Sequence, residues 1–219
     1  MTVTHHPPEN LLADLASGLL EEAEHLVVGV HVAGCARCSR FVRAIEQLAA
    51  TSIEKADPVP MSENAFDLVM AHVGEMPPAG ATQPASAGTM RRAPEEQELP
   101  ALLRRYRLGR RRRVAPGVSV QPIELSGSGK ARAFLLQSAP GTRMLEHTHS
   151  GTELTCVLKG SFSHEAGRYG PGDFDYGDGD IDHRPIVGDE GPCLCLVAMT
   201  GELKMNSFLG RLISPFVRL

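Results

Sequence analysis

Apolar residues recur at helical spacing through the first third of the chain and at strand spacing through its second half. Leu11, Leu12, Leu15 and Leu19 follow the polar starter Asn10 at intervals that predict a short helix, interrupted at Gly18. Ala23, Leu26, Val27, Val30 and His31 predict a second helix. After Gly34, the positions of Cys38, Phe41, Val42, Ile45 and Leu48 predict a third. A fourth is expected over residues 61–73, capped by Ser62, with Phe66, Val69, Met70 and Val73 on one face. Residues 1–75 therefore read as a small helical unit.

From Met76 to Met90 the chain carries no charge and consists mainly of Pro, Ala, Gly, Ser and Thr, a composition that cannot build a core. Residues 91–113 are basic and end in Arg110 to Arg113. Residues 76–113 are thus expected to be a linker, flexible and then basic. Past Val114 the pattern changes to short strands. Val118, Val120, Ile123, Phe134 and Leu136 lie in strand-like runs, and Leu154, Cys156 and Leu158 alternate onto one face. Glycines punctuate residues 167–179, and Cys193 to Met199 reads as a further strand. Short strands at this spacing predict a β-sandwich or barrel over 114–219. The expected fold class is multidomain α + β: a helical bundle, a linker and a barrel.

Charge follows the same division. Residues 1–90 hold eleven acids against four bases, a balance of −7, and residues 91–132 hold eleven bases against four acids, a balance of +7. The remainder stands at −4. Hydrophobic content of 42% excludes global disorder. The first thirty residues lack a basic segment followed by an apolar one, and no apolar run is long enough to span a bilayer, so a cytoplasmic protein is expected. In that setting the five cysteines suggest metal or redox chemistry rather than a disulfide framework.

Two clusters carry metal-ligating residues. The first is His31-x3-Cys35-x2-Cys38, where Cys-x2-Cys supplies two thiolates from one turn and Gly34 can break the helix after His31. A fourth ligand must come from His5, His6, His25 or His72. His6 is favoured because it directly precedes Pro7-Pro8 and can fold back. A closed tetrahedral Zn2+ site is expected, clipping a module whose own core is thin.

The second cluster is Gly141-x5-His147-x-His149-x3-Glu153-x6-Gly160, with His183 downstream. Residues two apart on a strand share a face, and three imidazoles with one carboxylate suit a divalent metal. Zn2+ is expected, with Fe, Mn, Ni or Cu compatible with the same donors. The segment matches the first cupin motif at every spacing. Pro171-Gly172-Asp173 and His183 match the second motif more loosely, because the interval to the histidine is longer and holds Asp178, Asp180 and Asp182. Cys193 and Cys195 share a strand face and are candidates for a redox pair, with a buried structural role as the plainer reading. His164, beside Glu165, is expected in an exposed hairpin turn. The arginine run from Arg104 to Arg113 has no reading helix beside it, so direct nucleic-acid binding is not expected and packing on an acidic neighbour is favoured.

The series His6, His31, Cys35, Cys38 resembles the zinc anti-sigma motif. In combination with a cupin barrel, and in this order, the chain resembles the ChrR family of anti-sigma factors over nearly its whole length. The resemblance implies a non-enzymatic transcription regulator. Its N-terminal domain would sequester an extracytoplasmic-function (group IV) sigma factor, and its cupin domain would be needed for release on an oxidative signal such as singlet oxygen. Leu19, Leu26, Val30, Phe66 and Val69 are expected to form the partner-binding face, and the cupin is expected to communicate through the linker. The alternative is a metal-dependent cupin enzyme, dioxygenase-like, with an accessory zinc domain.

Overall fold

The computed structural model describes residues 3–75, 99–127, 129–144, 147–177, 184–201 and 203–205, with only the backbone described at 74–75, 147–149 and 203–205. The helices are α1 (Glu9–Ser17), α2 (Glu22–Gly34), α3 (Ala36–Glu54) and α4 (Ala65–Glu75). Pro8 introduces α1, and Gly18 ends it in the left-handed region (φ 68°), its amide donating to Asp14 and Leu15 carbonyls. A reciprocal capping box between Glu21 and Glu24 starts α2. Cys35 is extended (φ −115°, ψ 107°), which breaks the path between α2 and α3 where Gly34 suggests a break.

The strands are β1 (Arg107–Leu108), β2 (Arg112–Ala115), β3 (Val118–Glu124), β4 (Arg132–Ser138), β5 (His147–His149), β6 (Glu153–Lys159), β7 (Phe162–His164), β8 (Gly167–Tyr169), β9 (Phe174–Gly177), β10 (Ile186–Val187), β11 (Cys193–Met199) and β12 (Leu203–Met205). A seven-stranded antiparallel sheet runs β1-β3-β4-β11-β6-β9, with β2 also on β3. Smaller sheets pair β10-β7-β8 and β12-β5.

Contacts divide the chain elsewhere than at the expected boundaries. Met1–Leu48 and Leu99–Leu219 form one compact unit, and Ala49–Glu98 a second. Helices α1 and α2 and the first turns of α3 therefore belong with the barrel. The later half of the expected linker is folded too: Leu99 and Leu103 (1% exposed) are core residues, Leu103–Arg105 make a 3-10 turn, and β1 and the first half of β2 follow. Residues 76–98 lie outside the described residues.

The first unit has three layers. One face of the large sheet offers Ala133, Leu135, Leu154, Cys156, Phe174, Leu196 and Ala198 to Leu11, Leu12, Leu26, Val27, Val28 and Val42. The opposite face offers Phe134, Val157, Cys193, Cys195, Val197 and Met199 to Phe162, Tyr169 and Val187 of the small sheet. Strict alternation along β6 and β11 feeds both cores from one strand. That is why Cys193–Met199 reads as an unbroken apolar run. Helix α2 lies across β4, β6 and β11 and is pinned at its start, where Glu22 accepts from the Ser126 and Gly127 amides (both 2.8 Å) and Glu21 from Ala131 (3.1 Å).

Candidate metal centre

His6, His31, Cys35 and Cys38 bring one donor atom each to within 4.8 Å of one another. His31 Nε2 lies 3.3 Å from Cys38 Sγ, and His6 Nδ1 lies 3.5 Å from both thiols. Bonds of about 2.3 Å to sulfur and about 2.0 Å to nitrogen put the donors of a tetrahedral zinc roughly 3.5 Å apart, so the set fits zinc by chemistry and by spacing. The break at Cys35 makes this possible: His31 approaches from the last turn of α2 while Cys38 opens α3. His6 comes from the extended segment before Pro7, as its reach suggests.

Burial suits the site to a metal. It pulls His31 down to about 4, against the opposing hydrogen bond to Gly172, so the ring is neutral and free to ligate. Burial, and then the neighbouring Cys35 thiol, push Cys38 up to about 12. Without a metal that thiol holds its proton; a zinc ion would displace it. The three residues Gly172, Asp173 and Phe174 also touch the histidines' surroundings. His31 Nδ1 donates to the Gly172 carbonyl at 2.8 Å, which leaves Nε2 for the metal. Asp173 accepts from the backbone amides of Thr4 (2.6 Å) and His5 (2.9 Å), and the His31 ring meets Phe174 edge-on.

The cupin cluster is placed only in part. Glu153 opens β6 and accepts from the Thr155 hydroxyl at 3.2 Å. The backbone at His147 and His149 forms β5, paired with β12, while their side chains and all of His183 lie outside the described residues. Cys193 and Cys195 face the barrel core with Sγ atoms 3.6 Å apart, both as free thiols. Donation by the Cys195 thiol lowers Cys193 and raises Cys195.

The whole chain is 36% identical over 223 residues to the anti-sigma-E factor ChrR of Cereibacter sphaeroides, each covered to 100%. It belongs to the ChrR family of anti-sigma factors. Residues 111–203 match the ChrR cupin-like domain. The chain also superposes with a TM-score of 0.72 on a crystal structure of Rhodobacter sphaeroides SigE in complex with the anti-sigma ChrR, at 31% identity, covering 90% of this chain and 99% of that one.

Set beside this ChrR-family fold, the expected partner face divides. Leu19 (74% exposed), Phe66 (72%) and Val69 (61%) present apolar surface to solvent. Leu26 and Val30 do not; both are buried in the core between helices and sheet. An amphipathic reading of α2 fails because the helix is covered on several sides, with Ala23, Leu26, Val27, Val28, Val30 and His31 all buried. His164 is also not an exposed turn residue. Its side chain is 7% exposed, and Nε2 lies 3.1 Å from Asp175, a bond that raises the histidine against the opposing effect of burial. The reading from sequence missed Thr4, His5 and Asp173 as neighbours of the metal centre. The signal available was Pro171-Gly172-Asp173, taken there for a cupin turn alone.

Proposed function

We propose that this chain is an anti-sigma factor that sequesters an extracytoplasmic-function sigma factor, and that the cupin barrel governs release on an oxidative signal. The observation that carries the reading is the full-length relationship to the anti-sigma-E factor ChrR, together with the convergence of His6, His31, Cys35 and Cys38 on one cluster. Supporting it, Phe66, Leu68, Val69, Met70 and Val73 of α4 are all exposed. A helix that shows this much apolar surface is a docking element, in the manner of a helix laid into a partner's groove. Leu19 at the end of α1 offers a further apolar contact.

Zinc at His6, His31, Cys35 and Cys38 would fix the angle between α2 and α3 and the position of the N-terminal segment. The barrel would carry a divalent metal, for which we favour zinc, on His147, His149, Glu153 and His183. Its core also holds the Cys193–Cys195 pair, the groups best suited to register an oxidant such as singlet oxygen. We place the protein in the cytoplasm, where its partner would work, and assign it no catalytic role, in keeping with its relationship to an anti-sigma factor.

Co-expression with the extracytoplasmic-function sigma factors of its own genome tests the reading. Stoichiometric capture by the native chain, and none by Cys35→Ser/Cys38→Ser, is the expected result. Failure of the native, zinc-loaded chain to capture any of them would sink it.

A further inference from the structure

The zinc site's two histidines depend on the barrel. The turn between β8 and β9 touches His31 directly and holds the backbone just before His6. Its Gly172 carbonyl accepts from His31 Nδ1 at 2.8 Å. Its Asp173, only 5% exposed, holds the N-terminal segment with both carboxylate oxygens. Oδ1 accepts from the Thr4 amide (2.6 Å), the His5 amide (2.9 Å) and the Thr4 hydroxyl (3.2 Å). Oδ2 accepts from the Gly170 amide (2.9 Å), which closes the turn itself, and from the Thr4 hydroxyl (3.3 Å). The Phe174 amide then donates to the His5 carbonyl at 3.1 Å. The residue after this pinned pair is His6. The His6 ring also meets the His31 ring of α2 edge-on, so the turn fixes the backbone that carries His6 while α2 offers a ring for it to rest against.

We propose that the β8–β9 turn is the scaffold of the zinc site's histidines, with Asp173 the positioning residue for His6 and the Gly172 carbonyl the orienting acceptor for His31, so that the barrel sets the zinc affinity of the helices. Groups that orient metal ligands typically change affinity 10–100-fold when removed. The turn is also tied to the barrel core. The Tyr169 ring, on β8, packs at a tilt against His5 with centroids 4.2 Å apart and stacks on His164 at 4.9 Å. His164 in turn pairs with Asp175 on β9. Any change inside the barrel that shifts β8 or β9 therefore reaches the zinc donors directly, without the linker. The proposal rests on the zinc reading of the cluster; the anti-sigma reading enters only its consequence.

The test is zinc retention by the full chain against a graded chelator, with cobalt substitution reporting a four-coordinate, thiolate-bound site by absorption. Asp173→Ala should lose zinc at about 10–100-fold lower chelator strength. Asp173→Asn keeps one carbonyl oxygen for the Thr4 and His5 amides and should recover most of the affinity. Thr4→Pro removes an amide donor from a segment outside the barrel, so it should weaken zinc in the same direction even if Asp173→Ala fails to fold. Val120→Ala, in the barrel core, should lower the melting temperature and leave zinc retention unchanged. Native-like retention by Asp173→Ala and Thr4→Pro would overturn the proposal, as would equal zinc loss in Val120→Ala. Sigma-factor capture run in parallel separates the two readings. Asp173→Ala should capture poorly at buffered low zinc and normally at saturating zinc. A native chain that captures nothing refutes the anti-sigma reading and leaves the zinc comparison standing.

Discussion

Helices α2 and α4 are built from similar residues and meet opposite fates. Helix α2 carries Leu26, Val27, Val28, Val30 and Val32; helix α4 carries Phe66, Leu68, Val69, Met70 and Val73. The first lies on β4, β6 and β11 with α1 beside it, and Val27 and Val28 are 0% exposed. The second leaves all five of its large apolar side chains in solvent. Apolar content alone therefore does not say what a helix is for. A helix apolar on every side is fully used when a sheet and other helices enclose it; when none of the described residues does, the same surface is available to a partner.

The largest effect that would break this contrast comes from the metal. Cys35→Ser with Cys38→Ser removes two of four donors, and structural zinc sites are worth about 10–16 kcal/mol of apparent binding free energy near neutral pH. We expect loss of bound zinc by elemental analysis and looser packing of α1–α3 on the sheet, seen as faster amide exchange in α2. Next comes Val28→Asp. A carboxylate at a fully buried position with no partner should cost about 4 kcal/mol or more, measured by denaturant unfolding. A native-like midpoint would show that α2 is not core.

The mirror experiment is Phe66→Ala with Val69→Ala in α4. Stability should stay within about 0.5 kcal/mol of native, because neither side chain is buried in the free chain. Affinity for the sigma factor should fall by about 2 kcal/mol or more, roughly 30-fold, the size expected of central apolar anchors. Unchanged affinity, by calorimetry, would move the docking surface elsewhere.

The smallest effect sharpens the barrel side of the comparison. The Asp175 hydrogen bond raises His164 above its ordinary value, so the protonated pair stabilises the folded state. That contribution is complete below the unfolded histidine value, near 6.5, and fades as pH rises through the raised folded value. His164→Gln should therefore lower the melting temperature by a few degrees at about pH 6 and by less at about pH 8.5. An equal loss at both would mean that the histidine acts by packing alone.

Much of this was legible in the residues themselves. The Cys-x2-Cys spacing, Gly34 before it and the reach of His6 were enough to assemble the four candidate metal donors, because those constraints are local. Alternation placed Leu154, Cys156 and Leu158 on one face, and all three meet the core beneath the helices. What escaped was nonlocal. Leu26 and Val30 read as one exposed face because the sheet that covers them begins about a hundred residues later. The folding of Leu99 to Arg113 was hidden by the arginines, whose charges stay at the surface while Leu99 and Leu103 supply the core contact. His164 ends β7 just before Glu165, a local pattern that reads as a turn; its partner Asp175 lies on β9.

Amide hydrogen exchange on the full zinc-loaded chain, alone and bound to its sigma factor, tests the contrast between α2 and α4 most directly. The account predicts that α2 is protected in both states and that α4 exchanges rapidly alone and becomes protected in the complex. Protection of α4 in the free chain, or its continued rapid exchange in a saturated complex, would contradict it.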